Sequence, residues 1–127
     1  MLRRESSVAV YRQIMEYFEF EIASGRLSAG DRIDSIRALA LFFKVNPNTV
    51  QKALAELERD QLIFTDRTNG KFVTEEVKII ENLREKLAKE LITEVVIQAK
   101  MLGLSKERTL TLIEDNWEDI QNERKNS

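Results

Sequence analysis

The sequence predicts a mainly α-helical chain with one small β-hairpin, in two parts, residues 1 to 74 and residues 75 to 127. Three observations predict it. Two apolar-periodic segments between Asp34 and Asp60 are separated only by the turn at Lys44-Val45-Asn46, and the second opens on Asn46-Pro47. Two β-rich runs then flank Asn69-Gly70. From Glu75 to Leu102 there is no glycine or proline, and the break comes at Gly103. The first two observations describe a winged helix-turn-helix, a device that sets one helix end in a DNA major groove. The third describes a two-helix tail.

The first helix is predicted over Ala9 to Ser24, where Val10, Ile14, Phe18 and Ile22 recur every fourth residue. Gly25 stops it by supplying left-handed geometry, and Leu27 to Asp31 is a loop. Arg32-Ile33 is predicted as a one-bridge strand. The next helix takes Asp34 or Ser35 as its N-cap, buries Ile36, Leu39, Ala40 and Phe43, and ends near Lys44. In the second helix of the pair Asn46 caps and Pro47 fills the first position, where no N–H is needed. Val50, Ala53, Leu54 and Leu57 fall within about 100° of arc, facing a core. Asn48, Lys52 and Arg59 lie nearly opposite Val50, with Thr49 and Gln51 on the flanks.

That outer face carries amides, a hydroxyl and a cation. Asn and Gln pair bidentately with adenine, Thr reaches a thymine methyl or a phosphate, and Lys52 neutralises a phosphate. The runs 62 to 65 and 71 to 74 form the wing, with Asn69-Gly70 as its turn and Arg67 and Lys71 as two cations beside a glycine that lets the backbone approach closely.

In the tail, Ile80, Leu83, Leu87, Leu91 and Val95 trace a stripe along a long helix, and Ser105 caps a last helix carrying Leu110, Ile113, Trp117 and Ile120. The polar end, 122 to 127, is expected to fray. Two such helices cannot cover each other's apolar faces and also enclose a ligand cavity of ~300 Å³. The economical solution is an isologous dimer, an antiparallel bundle using that stripe together with Leu110, Ile113 and Trp117. The alternative is that the stripe packs back on the chain's own winged domain.

Composition narrows the function classes. With 127 residues, of which 43% are apolar, the chain supports a real core. No apolar run reaches the ~20 residues of a membrane span, and the N-terminus lacks the apolar stretch of a signal peptide, so a soluble, cytoplasmic protein is expected, with no membrane partner. There are no cysteines and no histidines. That removes disulfides, thiolate nucleophiles and the commonest general base and metal ligand, so no catalytic residue, metal or cofactor is expected. The net charge of −2 means that any DNA-binding cations must be concentrated on one face.

The residues resemble the winged helix-turn-helix of the GntR family of bacterial transcription regulators. Five stretches carry the resemblance: V-Y-R-Q-I (10 to 14), G-R-L-S-A-G-D-R-I (25 to 33), S-I-R-A-L-A (35 to 40), V-N-P-N-T-V-Q-K-A-L (45 to 54) with L-E (57 to 58), and G-K-F-V (70 to 73). The resemblance implies a DNA contact by Arg37 in its Ser35-x-Arg37 motif, further contacts by Asn46, Asn48, Thr49 and Gln51, and a wing-tip contact at Thr68 to Lys71, which includes Asn69 and Gly70. The chain departs from the family pattern at Asp34, where proline is usual, at Pro47 and Gln51, where many members carry arginine, at Thr68, where the wing's first glycine stands, and at Asp60-Gln61-Leu62, where E-G-L is usual. The short tail resembles the YtrA-like subfamily; the larger effector domains of other subfamilies need more than residues 75 to 127. This implies a homodimeric repressor on a pseudo-palindromic double-stranded operator, often of an ABC transporter operon. An activator with the same DNA-binding mode is the alternative. A winged-helix protein-interaction module, the reading from another class, predicts an acidic or apolar face where Asn48 and Lys52 stand. A small-molecule effector, of unspecified identity, is a further expectation, with its place between the winged domain and the long helix.

Overall fold

The computed structural model describes residues 7–126, with side chains from Val10 to Gln121. The element order is α1 (Ser7–Ser24), α2 (Ile36–Phe43), α3 (Pro47–Arg59), β1 (Ile63–Asp66), β2 (Gly70–Val73), α4 (Val77–Met101) and α5 (Lys106–Asn126). None of the described helices is long and apolar enough to cross a membrane.

Each boundary follows from local chemistry. α1 ends in a left-handed Gly25, and Leu27 N–H donates to Glu21 C=O at 2.9 Å across a six-residue closure, which satisfies the last carbonyls of the helix. Leu27 completes the motif by packing on the core. α2 is capped by Ser35, not Asp34; its Oγ accepts from Ala38 N–H at 3.1 Å. Lys44 takes a left-handed φ of 58° and turns the chain toward α3. There Asn46 Oδ1 accepts from Asn48 N–H at 2.7 Å ahead of Pro47.

The stripes meet as their periodicities require. Ile14, Phe18 and Ile22 of α1 pack with Val50, Ala53, Leu54 and Leu57 of α3, over Leu39 and Ala40 of α2. Each such large apolar side chain contributes about 1.5–3 kcal/mol. Tyr17 stands edge-on to Phe18 and Phe43, with ring centroids 5.3 and 5.1 Å away, and locks α1 to α2.

β1 and β2 pair antiparallel, with Ile63 opposite Val73, Phe64 opposite Phe72, Thr65 opposite Lys71 and Asp66 opposite Gly70. Period two sends Ile63 and Val73 into the core and leaves the stacked Phe64–Phe72 pair on the outer face. The expected one-bridge strand is present: Arg32 bridges Phe72, flanked by Ile33 N–H to Lys71 C=O and Val73 N–H to Asp31 C=O, both 2.8 Å.

The hairpin turns within Asp66 to Gly70, the stretch that contains the Asn69-Gly70 dipeptide. Gly70, with a φ of 107°, pairs with Asp66 and closes a three-residue loop, Arg67-Thr68-Asn69, that the Asp66 carboxylate braces through the N–H groups of Thr68 and Asn69 at 2.9 and 3.3 Å.

The long-helix stripe also divides. A first compact unit ends at Leu87 and a second begins at Ala88, inside α4, so this division falls later than the expected boundary at 74. Leu83 is only 6% exposed and belongs to the winged-domain core, with Ile80 and Leu87 packed against it. Arg84 Nε donates to Ala23 C=O at 2.9 Å, fastening α4 to the end of α1. For Leu83 the expected role in dimerisation is therefore corrected, because the winged-domain core already covers it, while Ile80 and Leu87 pack on that core and stay half-buried. In the second unit Ser105 Oγ caps α5 through Arg108 N–H at 3.0 Å, and Ala99 is the one buried side chain among the described residues. Leu91 is 65% and Trp117 69% exposed, Leu110 and Ile113 are exposed, and Val95 is half-buried. α5 continues to Asn126, past the point where fraying was expected, and Ser127 lies outside the described residues.

Candidate nucleic-acid interface

The residues assigned from the sequence fall at three places: the start of α2, the first turns of α3, and the wing. At the first, the Ser35 hydroxyl oxygen is committed to its cap, while its proton remains available to donate. Arg37 is exposed, and among the described residues no ion pair or hydrogen bond holds its guanidinium. A free guanidinium beside the N–H groups of a helix start suits a phosphate.

On α3 the side chains of Asn48 and Gln51 are exposed and Thr49 is half-buried beside them. Asn46 is exposed but spends its Oδ1 on the cap. Lys52 has a neighbour that the sequence did not disclose: its Nζ lies 4.4 Å from the centroid of the Tyr11 ring on α1, a cation–π contact that restricts a flexible side chain without neutralising it. Arg59, on the same outer face, is paired with Glu56, and the hydrogen bond from Arg59 holds the Glu56 carboxyl below its ordinary value.

At the wing, Arg67 is exposed and unpaired among the described residues, and Asn69 Nδ2 donates to Asp66 Oδ2 at 3.0 Å. The backbone N–H of Thr68 is the main cause, followed by Asn69, of an Asp66 carboxyl that titrates below its ordinary value. Lys71 does not join Arg67 at the tip. Its Nζ donates to Thr65 Oγ1 at 2.8 Å and to Glu58 Oε1 at 3.1 Å, so it ties the wing to the end of α3. Burial raises the Glu58 carboxyl, but the hydrogen bonds from Thr65 and Lys71 outweigh it and leave the group below its ordinary value. The expected pairing of Arg67 with Lys71 as wing cations is thus corrected. The cation beside Gly70 is Arg32: a Cβ built on Gly70 would lie 3.3 Å from Arg32 Nε. The signal for it was the one-bridge strand, since a residue paired with Phe72 shares a face with Gly70, two positions on.

Taken together, a capped helix offers exposed amides, with an unpaired arginine before it and two arginines on the hairpin beyond. Residues 10–73 match the family described as bacterial regulatory proteins, gntR family. Among curated proteins, the chain is 38% identical over 106 residues to the uncharacterized HTH-type transcriptional regulator YhcF of Bacillus subtilis (strain 168), covering 84% of this chain and 88% of that one. It is 32% identical over 123 residues to the HTH-type transcriptional repressor YtrA of the same organism, covering 95% and 94%. Among solved structures, a GntR family transcriptional regulator from Listeria monocytogenes superposes with a TM-score of 0.81 at 36% identity, over 91% of this chain and 98% of that one.

Proposed function

The chain belongs to the gntR family of bacterial regulatory proteins, in its YtrA-like subfamily, and from that premise we propose that it is a homodimeric repressor of a pseudo-palindromic operator. It is a DNA-binding transcriptional regulator and not an enzyme. The finer reading rests on one observation above all. The second unit buries only Ala99 among its described side chains while Leu91, Leu110, Ile113 and Trp117 face solvent, a surface that a second copy related by a two-fold axis covers. Such a dimer presents two α3 helices to successive major grooves, with half-site centres about 34 Å apart. Arg37 holds a phosphate, Asn48, Thr49 and Gln51 read base edges, and Lys52 neutralises a backbone charge from its seat on Tyr11. The repressor sign follows the relative YtrA, and cytoplasmic action on a transporter operon follows the subfamily.

Selection of bound duplexes from a random pool tests the DNA reading: an enriched inverted repeat is expected, and a single unpaired half-site would overturn the symmetric operator. Trp117 is the sole tryptophan and reports the dimer. Its emission should shift to the blue as concentration rises through the dimer transition, and Leu91→Glu should hold it red. A chain that sediments as a monomer at tens of micromolar, with constant Trp117 emission, refutes the homodimer.

A further inference from the structure

We infer that Arg32 is a phosphate-binding residue of the wing, presented to the DNA backbone by the absence of a side chain at Gly70. The inference rests on the DNA-binding function and adds a contact outside the recognition helix and outside the Ser35-x-Arg37 motif. Four observations carry it. The guanidinium lies against the Gly70 backbone, where a Cβ would stand 3.3 Å from Nε and 3.4 Å from the terminal nitrogen Nη2. The Arg32–Phe72 bridge fixes the start of the side chain on the outer face of the hairpin, the face of the stacked Phe64 and Phe72, and from there the arginine reaches two residues toward the tip. No carboxylate claims it among the described residues: Asp31 accepts from Ser28 N–H, and Asp66 is occupied by the loop. Lys71, on the opposite face, is drawn away to Glu58.

The chemistry follows. A planar guanidinium laid on a glycine backbone loses little freedom when it meets a phosphate and keeps its outward N–H groups available. With Arg67 on the adjoining loop, the hairpin then offers two arginines to the phosphates that border the minor groove. Gly70 serves two ends: it supplies a φ of 107° that closes the three-residue loop, and it leaves the space that the arginine fills.

The test uses the full-length chain and the operator duplex recovered by selection, with affinity measured across a salt series. Arg32→Gln should weaken binding on the order of tenfold near physiological salt, reduce the slope of log affinity against log salt by about one, and do so equally for operator and unrelated DNA. Arg32→Lys should restore the slope. Thermal unfolding should be unchanged in both. An unaltered slope in Arg32→Gln, with wild-type binding intact, overturns this assignment alone. A change of base preference under the wing overturns the phosphate role in favour of minor-groove reading. A loss of affinity matched by lower thermal stability, which Arg32→Lys fails to restore, shows that the arginine only holds the sheet. A wild-type chain that binds no duplex overturns the DNA-binding function along with it.

Discussion

Leu83 is the residue at which the division of α4 is most exposed to experiment. If its side chain closes the winged-domain core, Leu83→Ala destabilises that domain, and if it belongs to a dimer seam, the domain is untouched. The side chain is 6% exposed and belongs to the buried cluster of the winged-domain core. Removing three buried carbons costs about 2.4 kcal/mol of transfer free energy at ~0.8 per carbon. The unfilled space adds to this, giving about 3 kcal/mol, inside the roughly 2–5 kcal/mol range of buried leucine truncations. For a domain of this size, 1 kcal/mol moves the midpoint by about 4–8 °C, so Tm should fall by roughly 12–24 °C. The assay is urea and thermal unfolding of the full chain by circular dichroism at several protein concentrations, with Trp117 emission followed in parallel as the signal of the second unit. Leu91→Ala is the control; at 65% exposure it should leave the domain's stability unchanged. A cost below about 1 kcal/mol for Leu83→Ala, or a cost that appears only as a concentration-dependent loss of association, would refute the placement of Leu83.

The other expected outcomes concern single side chains of the winged domain. Arg37→Ala should leave folding unchanged and weaken operator binding by about 1–3 kcal/mol in a fluorescence anisotropy titration; unchanged affinity removes Arg37 from the interface. Gln61 leaves α3 with a φ of 66°, so Gln61→Gly should relieve backbone strain and raise stability by about 0.5–1 kcal/mol, measured by urea unfolding. Asp66 titrates below its ordinary value in the folded wing because the loop N–H groups favour its charged form. Its bracing is therefore fully present above the ordinary aspartate pKa and is lost as pH falls through the lower folded value. Amide exchange of Thr68, corrected for intrinsic rates, should speed up below about pH 4 and lose that dependence in Asp66→Asn.

The site was legible where its signal is local. Ser35 and Asn46 are recognisable as cap candidates from their type and position, and the outer face of α3, with Asn48, Thr49 and Gln51, follows from helical periodicity, whereas Arg37 was reached only through the resemblance to the family's motif. The wing strands were legible from β-rich runs and the place of the turn from Asn69-Gly70, but the loop type was not, because the Asp66 carboxylate three residues before Asn69 decides it.

Lys71 and Arg32 show a second gap. Both are cations near a glycine in sequence or space, and which one is free depends on Glu58, thirteen residues from Lys71, and on a bridge to Phe72. Ile80, Leu83 and Leu87 show the third. By itself the sequence determined which segments form helices and strands, to within one or two residues at their starts, and which faces must leave water, because caps, glycines and apolar spacing act within a few residues. Only the tertiary structure decided what those faces meet: one uninterrupted stripe on α4 is shared between the winged-domain core and the open surface of the second unit, since periodicity states that a face must be buried and is silent about the partner that buries it.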